Sequence, residues 1–276
     1  MTVRALVLAG FGLNCDFETA HALTLAGAEA NRVHISDLTG TAQRPATETL
    51  DGYQILVFDG GFSWADDHGA GVLLATRVGN HLGDQIRAFL ARGGLVIGIC
   101  NGFQALVNLG LLPMLDGAWE RSVALINNDC GNFQDRWVTL AAEPDSRCLF
   151  TRGIKTLDLP IRHGEGKFAA SPAVLERLEA LGMVALRYAT PAGRPADGRW
   201  PANPNGSVND IAGVCDPSGR VFGLMPHPEG YYRLSQHPDW TLTREKARRQ
   251  GRELDPHAAG AGMAIFTNAV AAARGD

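Results

Sequence analysis

The chain lacks any charge excess that would draw it to a polyanion. Its 25 Lys and Arg face 29 Asp and Glu, a net charge of −4, which gives no reason to expect nucleic acid or an acidic membrane surface as a partner. It also lacks an apolar run long enough to span a bilayer, and its opening MTVRALVLAG reads as a strand, not a signal peptide. Five cysteines stand scattered at 15, 100, 130, 148 and 215. They show neither the even pairing of a disulfide framework nor the spacing of a zinc site, so no metal is expected. A reducing cytoplasm is the natural setting. No phosphate-cradling G-x-x-x-x-G-K-[ST] occurs, so no nucleotide cofactor is expected on this chain.

What is present is apolar sequence, 45% of 276 residues, enough for a large core in one or two domains. Arg4–Gly10, Ala30–Ile35, Gln54–Phe58 and Leu95–Ile99 read as strands, with helices over Asp16–Gly27 and Asn80–Arg92. Short, fully apolar strands separated by helices predict a parallel sheet covered on both faces. From about Trp119 the rhythm changes. Val123–Asn127, Arg136–Ala141 and Leu157–Arg162 read as strands without regular helices between them, so the sheet gains antiparallel members. Ser171–Leu181 reads as a helix, Thr190–Ser207 as a long surface loop, Ile211–Met225 as a hairpin turning at Asp216–Gly219, and Gly262–Ala273 as a closing helix. No repeat or linker divides the chain, so residues 1–276 are expected to form one domain, with an extension from about 234.

The stretch Gly98-Ile99-Cys100-Asn101-Gly102 joins a strand to a helix. A G-x-nucleophile-x-G turn lifts a nucleophile to the carboxyl edge of a sheet, its glycines clearing side chains where the backbone is strained. The helix N-terminus favours a thiolate, and the Asn101 N–H is positioned to help hold an oxyanion. Cys15 also lies between a strand and a helix but has no glycine frame, so it reads as structural or at most near the site. A cysteine nucleophile needs a base with an orienting group. VFGLMPHPEG brings a strand to its end and presents His227 and Glu229 between prolines. Alternation by two predicts that they point to the same side.

These residues resemble a family. Gly98-Ile99-Cys100-Asn101-Gly102-Phe103-Gln104 and His227-Pro228-Glu229 are similar to the G-x-C-x-G-x-Q and H-P-E elements of class I (triad) glutamine amidotransferases. Asn14-Cys15-Asp16, Asp59-Gly60-Gly61-Phe62-Ser63, His163-Gly164-Glu165-Gly166-Lys167-Phe168 and Asn203-Pro204-Asn205-Gly206-Ser207 resemble, in order, the glutaminase of phosphoribosylformylglycinamidine synthase. The resemblance covers roughly residues 3–233. It implies a three-layer, flavodoxin-like α/β sandwich with a mostly parallel central sheet plus added antiparallel strands. It also implies that Cys100 attacks the side-chain amide of L-glutamine, that His227 moves the protons and that Glu229 orients His227. The Gly61 and Asn101 N–H groups would hold the oxyanion. Gly60, Gly61, Phe62, Ser63, Gln104, His163 and Glu165 would form the glutamine site. The implied partners are a large synthetase subunit, which uses ATP and Mg, and a small accessory subunit.

Two departures stand out. Ala9-Gly10-Phe11-Gly12-Leu13 is not the compact P-G-[ST] that usually precedes N-C-D. The tail after Arg233 is longer than in compact members and carries Arg244, Lys246, Arg248, Arg249 and Arg252, as a docking surface for the synthetase or as a solvated helix face. Other readings are a stand-alone γ-glutamyl hydrolase or another class I amidotransferase, against which the HGEG and NPNGS segments argue. A further one is a catalytically silent regulatory subunit, against which the intact Cys100, His227 and Glu229 argue.

Overall fold

A strand that is apolar on both faces is stable only with layers above and below it, and the first half of the chain supplies both. The computed structural model describes residues 2–275. In that half, β1 (Val3–Ala9), α1 (Asp16–Leu25), β2 (Ala28–His34), α2 (Ile35–Thr39), β3 (Ile55–Phe58), α3 (Val72–Ala91), β4 (Leu95–Ile99) and α4 (Asn101–Asn108) follow in turn. The second half holds β5 (Val123–Ile126), β6 (Gln134–Ala142), β7 (Thr156–His163), β8 (Lys167–Ala170), α5 (Pro172–Ala180), β9 (Val184–Ala189), β10 (Ile211–Cys215), β11 (Val221–Leu224), α6 (Trp240–Arg249) and α7 (Met263–Arg274).

Nine strands form one sheet in the order β2-β1-β3-β4-β11-β10-β9-β6-β7. The first five run parallel, and β10, β9, β6 and β7 continue in antiparallel pairs. The parallel part has the flavodoxin-like strand order, β11 taking the last place. Helices α1 and α7 pack on each other and on β1, while α4 packs on β3, β4 and α3, giving the three layers. β5 and β8 form a separate antiparallel ribbon beside α4.

The structure departs from the sequence reading in three places. Helix α3 starts at Val72, about two turns before the expected position. Strands β8 and β9 were not anticipated. VALRYA has little strand signal of its own, and becomes a strand because Val184, Ala185, Leu186 and Tyr188 are buried between β10 and β6. In the tail, α7 buries Ile265, Phe266, Ala269 and Val270 in the main core, whereas α6 buries only Ala247 and pairs Arg248 and Arg249 with its own Glu245.

The hairpin that carries β11 into the sheet turns on one side chain. Asp216, 2% exposed, accepts hydrogen bonds from the N–H groups of Ser218, Arg220 and Val221 and from the Ser218 hydroxyl. Asp216→Ala removes four hydrogen bonds and leaves the buried Val221 N–H unpaired, and we expect it to lower unfolding free energy by about 2 kcal/mol in a urea titration. A change below about 0.5 kcal/mol would show that the turn holds without the carboxylate.

Candidate active site

The parallel pairing of β4 and β11 sets Ile99 opposite Leu224. The chain leaves both strands at the same edge, so Cys100 and His227 emerge beside each other. Cys100 donates its N–H to the Leu224 carbonyl at 2.8 Å, and His227 is tied by its own N–H to the Pro160 carbonyl at 2.8 Å. Cys100 sits at the N-terminus of α4 with φ 49° and ψ −104°, the strained geometry of a nucleophile elbow. The glycine frame has a concrete cause. A Cβ at Gly102 would collide with the Phe58 carbonyl, and one at Gly98 would lie 2.8 Å from the Gly102 backbone.

His227 and Glu229 are 2% and 1% exposed, and His227 Nδ1 meets Glu229 Oε1 at 2.5 Å. Strand alternation is not what joins them. Residues Pro228–Gly230 form a 3-10 turn that His227 caps, and the turn folds the carboxylate back onto the ring. Burial disfavours the imidazolium, but the Glu229 carboxylate and the Cys100 and Cys15 thiols outweigh it, holding the His227 pKa well above its usual value. Burial pushes the Cys15 thiol up to about 11, so it stays protonated.

Two adjoining cavities meet at Cys100. One, of about 200 Å³, is lined by Asn14, Cys15, Glu18 and His227; the other, of about 160 Å³, by Asp66, Ala70, Gln104, His163 and Glu165. Gly61, Phe62, Cys100, Phe133 and Arg162 line both. Phe62 and Phe133, 45% and 50% exposed with ring centres 6.2 Å apart, form an apolar rim. A larger cavity of about 820 Å³ lies around Arg136, Trp200 and His237, but its lining includes no cysteine.

The predicted site residues divide accordingly. Gly61 and Asn101 flank Cys100: Gly61 lines both cavities, and the Asn101 N–H is the first of α4, where backbone donors lack intrahelical partners. Gly60 and Ser63 stand behind the lining. The Cβ that Gly60 lacks would lie 2.8 Å from His227 Cε1 and 3.1 Å from Cys15 Sγ, so bulk there would displace the base. The Ser63 N–H donates to Asn101 Oδ1 at 3.2 Å. Gln104 donates to the Glu165 carbonyl at 2.6 Å, and Glu165 accepts from the Ala70 N–H at 3.3 Å. Burial, reinforced by the charge of His227, lowers the His163 pKa to about 3, so His163 is neutral throughout the working range.

The sequence reading missed several residues. Asn128 Oδ1 meets His163 Nδ1 and accepts from the Gly166 N–H, both at 3.1 Å, while its amide donates to the His163 carbonyl. The Arg162 carbonyl accepts from Cys100 Sγ at 3.5 Å. Asp66 accepts from Asn101 Nδ2 at 2.8 Å, and its pKa is raised to about 6, chiefly by burial. NPNGS is more than a tight turn: Asn205 donates to the Gly166 carbonyl and the Tyr188 hydroxyl, and Ser207 accepts from the Phe168 N–H. It clasps HGEGKF from behind. None of these roles follows from local sequence, since each partner is 17 or more residues away.

Comparison with known proteins follows from this geometry. The family described as CobB/CobQ-like glutamine amidotransferase domain matches residues 2–271. Phosphoribosylformylglycinamidine synthase subunit PurQ of Dehalococcoides mccartyi is 45% identical over 99% of this chain and 98% of its own. The Methanococcus maripaludis subunit of the same name is 43% identical over 97% and 96%. Among solved structures, PurLQS from Thermotoga maritima matches with a TM-score of 0.67 at 30% identity, covering 98% of each chain. A glutamine amidotransferase from Thermotoga maritima shares the fold alone, with a TM-score of 0.54 at 13% identity over 99% and 98%.

The elbow's tolerance is testable. Gly102→Ala drives a methyl into the β3 backbone, and we expect a loss of about 3 kcal/mol in stability together with loss of thiol reactivity at position 100. Wild-type stability and alkylation rate in this variant would remove steric clearance as the reason for the glycine.

Proposed function

The chain belongs to the CobB/CobQ-like glutamine amidotransferase family, among the PurQ subunits of phosphoribosylformylglycinamidine synthase, and from this premise we propose how its residues carry out the glutaminase reaction. The chain hydrolyses L-glutamine to glutamate and ammonia and hands the ammonia to a synthetase subunit, which makes formylglycinamidine ribonucleotide in purine biosynthesis. The observation that carries the residue assignment is Cys100 and His227 lining one cavity, with Glu229 on the far nitrogen of the ring.

His227 takes the thiol proton of Cys100 as the sulfur attacks the carboxamide carbon of glutamine, and the carbonyl oxygen takes the developing charge between the Gly61 and Asn101 N–H groups. The imidazolium of His227, held protonated by Glu229, gives its proton to the departing nitrogen. A γ-glutamyl thioester remains on Cys100. Water then attacks that carbon, His227 takes its proton, and the thiol is regenerated with glutamate released. The 160 Å³ cavity receives the amino-acid end of the substrate. Its Glu165 and Asp66 carboxylates suit an α-ammonium, and Arg162 at its edge suits an α-carboxylate.

This chain needs no cofactor; ATP and Mg act on the synthetase subunit, with a small accessory subunit completing the complex. The whole chain works as one amidotransferase domain extended from about residue 234. No helix among the described residues is long and apolar enough to cross a membrane, and we place the reaction in the cytoplasm, where purine precursors are made.

Cys100→Ala, assayed with the cognate synthetase, formylglycinamide ribonucleotide and ATP, should abolish glutamine-dependent amidine formation and glutamate release while leaving ammonia-dependent synthesis intact. Loss of both would assign Cys100 a structural role. The Asp66 carboxylate, at about 6, is ionised above that pH and neutral below it. The glutamine KM should therefore rise about tenfold from pH 7 to pH 5, and Asp66→Asn should flatten that profile. A KM that stays constant in the wild type would remove Asp66 from substrate binding.

A further inference from the structure

His227 has a second thiol beside it that the glutaminase chemistry does not use. Cys15 is 7% exposed, sits one residue before α1, and is fixed by a hydrogen bond from its N–H to the Gly60 carbonyl at 3.2 Å. Its sulfur, a His227 ring nitrogen and a Glu229 oxygen lie within 4.8 Å of one another, all three residues being buried. The thiol and the ring face each other over the Gly60 α-carbon: a Cβ built there would lie 3.1 Å from Cys15 Sγ, 2.8 Å from His227 Cε1 and 3.2 Å from His227 Nδ1. The second oxygen of Glu229 is buried without a hydrogen-bond partner, a donor atom available at no cost to an existing contact.

We propose that Cys15, His227 and Glu229 form a binding site for a thiophilic divalent cation, zinc above all, and that the bound ion switches the triad off. A sulfur, an imidazole nitrogen and a carboxylate oxygen are a ligand set suited to zinc. Tetrahedral zinc holds sulfur and nitrogen ligands roughly 3.6 Å apart, so side-chain rotation closes the set. The ion takes the place of the proton between His227 Nδ1 and Glu229. Two protons leave, one from the Cys15 thiol and one from Nδ1, and the bonds formed are metal–sulfur, metal–nitrogen and metal–oxygen. The 200 Å³ cavity that Cys15 and His227 line has room for a water as the fourth ligand. The thiolate and the carboxylate balance the charge of the ion.

The consequence follows from the tautomer. A neutral ring bound through Nδ1 carries its proton on the other nitrogen, which then has no lone pair to accept the proton of Cys100 or of water. The nucleophile is untouched, yet its base is gone. Cys100 itself lies outside the set, which separates this site from the familiar attack of metals on a catalytic thiol. The inhibitory effect rests on the glutaminase reading, whereas binding does not.

Cobalt(II) titration of the full chain under anaerobic conditions tests binding directly, because thiolate ligation gives a near-ultraviolet charge-transfer band. Cys130 is exposed, so a Cys130→Ser background is used. The expected result is one equivalent bound with the band intensity of one thiolate, unchanged by Cys100→Ala and abolished by Cys15→Ser, which removes the one thiolate ligand. Loss of the band on Cys100→Ala, indifference to Cys15→Ser, or an intensity of two thiolates in the parent protein overturns the assignment. The last measurement needs no change at Cys15 and decides the matter even when that variant does not fold. Zinc should inhibit glutamate release by the parent protein, with at least about tenfold more zinc needed in Cys15→Ser; equal sensitivity of the two overturns the switch.

Discussion

The hydrogen bond from the Cys100 N–H to the Leu224 carbonyl is the contact on which the site depends. It closes the parallel pairing of β4 with β11 just past the end of β4, and so fixes Cys100 and His227 on one rim. The two side chains come from segments more than a hundred residues apart in sequence, and contacts to β7, from the His227 N–H to the Pro160 carbonyl and from Cys100 Sγ to the Arg162 carbonyl, add to that register. The same bond holds Cys100 at a φ of 49°, a conformation that costs a residue with a side chain about 1–3 kcal/mol. That cost is sustained by elements outside the active site. They are the β10–β11 hairpin turned by Asp216, the clearance left by Gly98 and Gly102, and the cover of α4.

A second tier of contacts fixes the wall opposite the nucleophile. HGEGKF leaves β7 and enters β8, a poor place for rigidity because three of its residues, Gly164, Glu165 and Gly166, lie between the two strands. Asn128 and Asn205 supply what the backbone lacks. One ties both sides of the turn to itself, and the other holds the Gly166 carbonyl while being held by Ser207. The side chain of Asn101 then joins this wall to the loop after β3, through Ser63, Asp66 and Gln104. The elbow, the wall and the loop are therefore tied together by side-chain hydrogen bonds.

How much of this was legible in the sequence depends on the distance over which each feature acts. The elbow reads directly, because the glycines, the cysteine and the helix that follows are adjacent. The hairpin before His227 reads for the same reason. The meeting of His227 and Glu229 was expected from strand alternation and arises instead from a 3-10 turn; the outcome matched because two prolines end the strand in either case. Strand β9 was missed because its identity comes from burial between two strands distant in sequence. Asn128, Arg162 and Asp66 were missed because nothing near them in sequence marks their partners. Cys15 is the instructive case. Ranked below Cys100 for want of a glycine frame, it lies against the same imidazole, since β1 and β3 are neighbours in the sheet and the loops that follow them meet at Gly60.

The distribution of unsatisfied polar atoms gives an independent measure of where the fold gives up stability. Both oxygens of Asp59, the Ser63 hydroxyl, the second oxygen of Glu229 and one ring nitrogen each of His163 and His227 are buried without partners. Each such group costs about 1–3 kcal/mol relative to a paired one; among the described residues Thr19, Asn31, Arg77 and Ser122 hold four others elsewhere, so six of the ten such atoms fall at this site. Asp59 shows the effect most clearly. Burial, with Asp16 next in effect, holds its carboxyl protonated well above the usual range, which keeps a further negative charge away from Glu229 and His227. Glu229 is the carboxylate that meets the ring, so the direction in which His227 is polarised follows from one hydrogen bond.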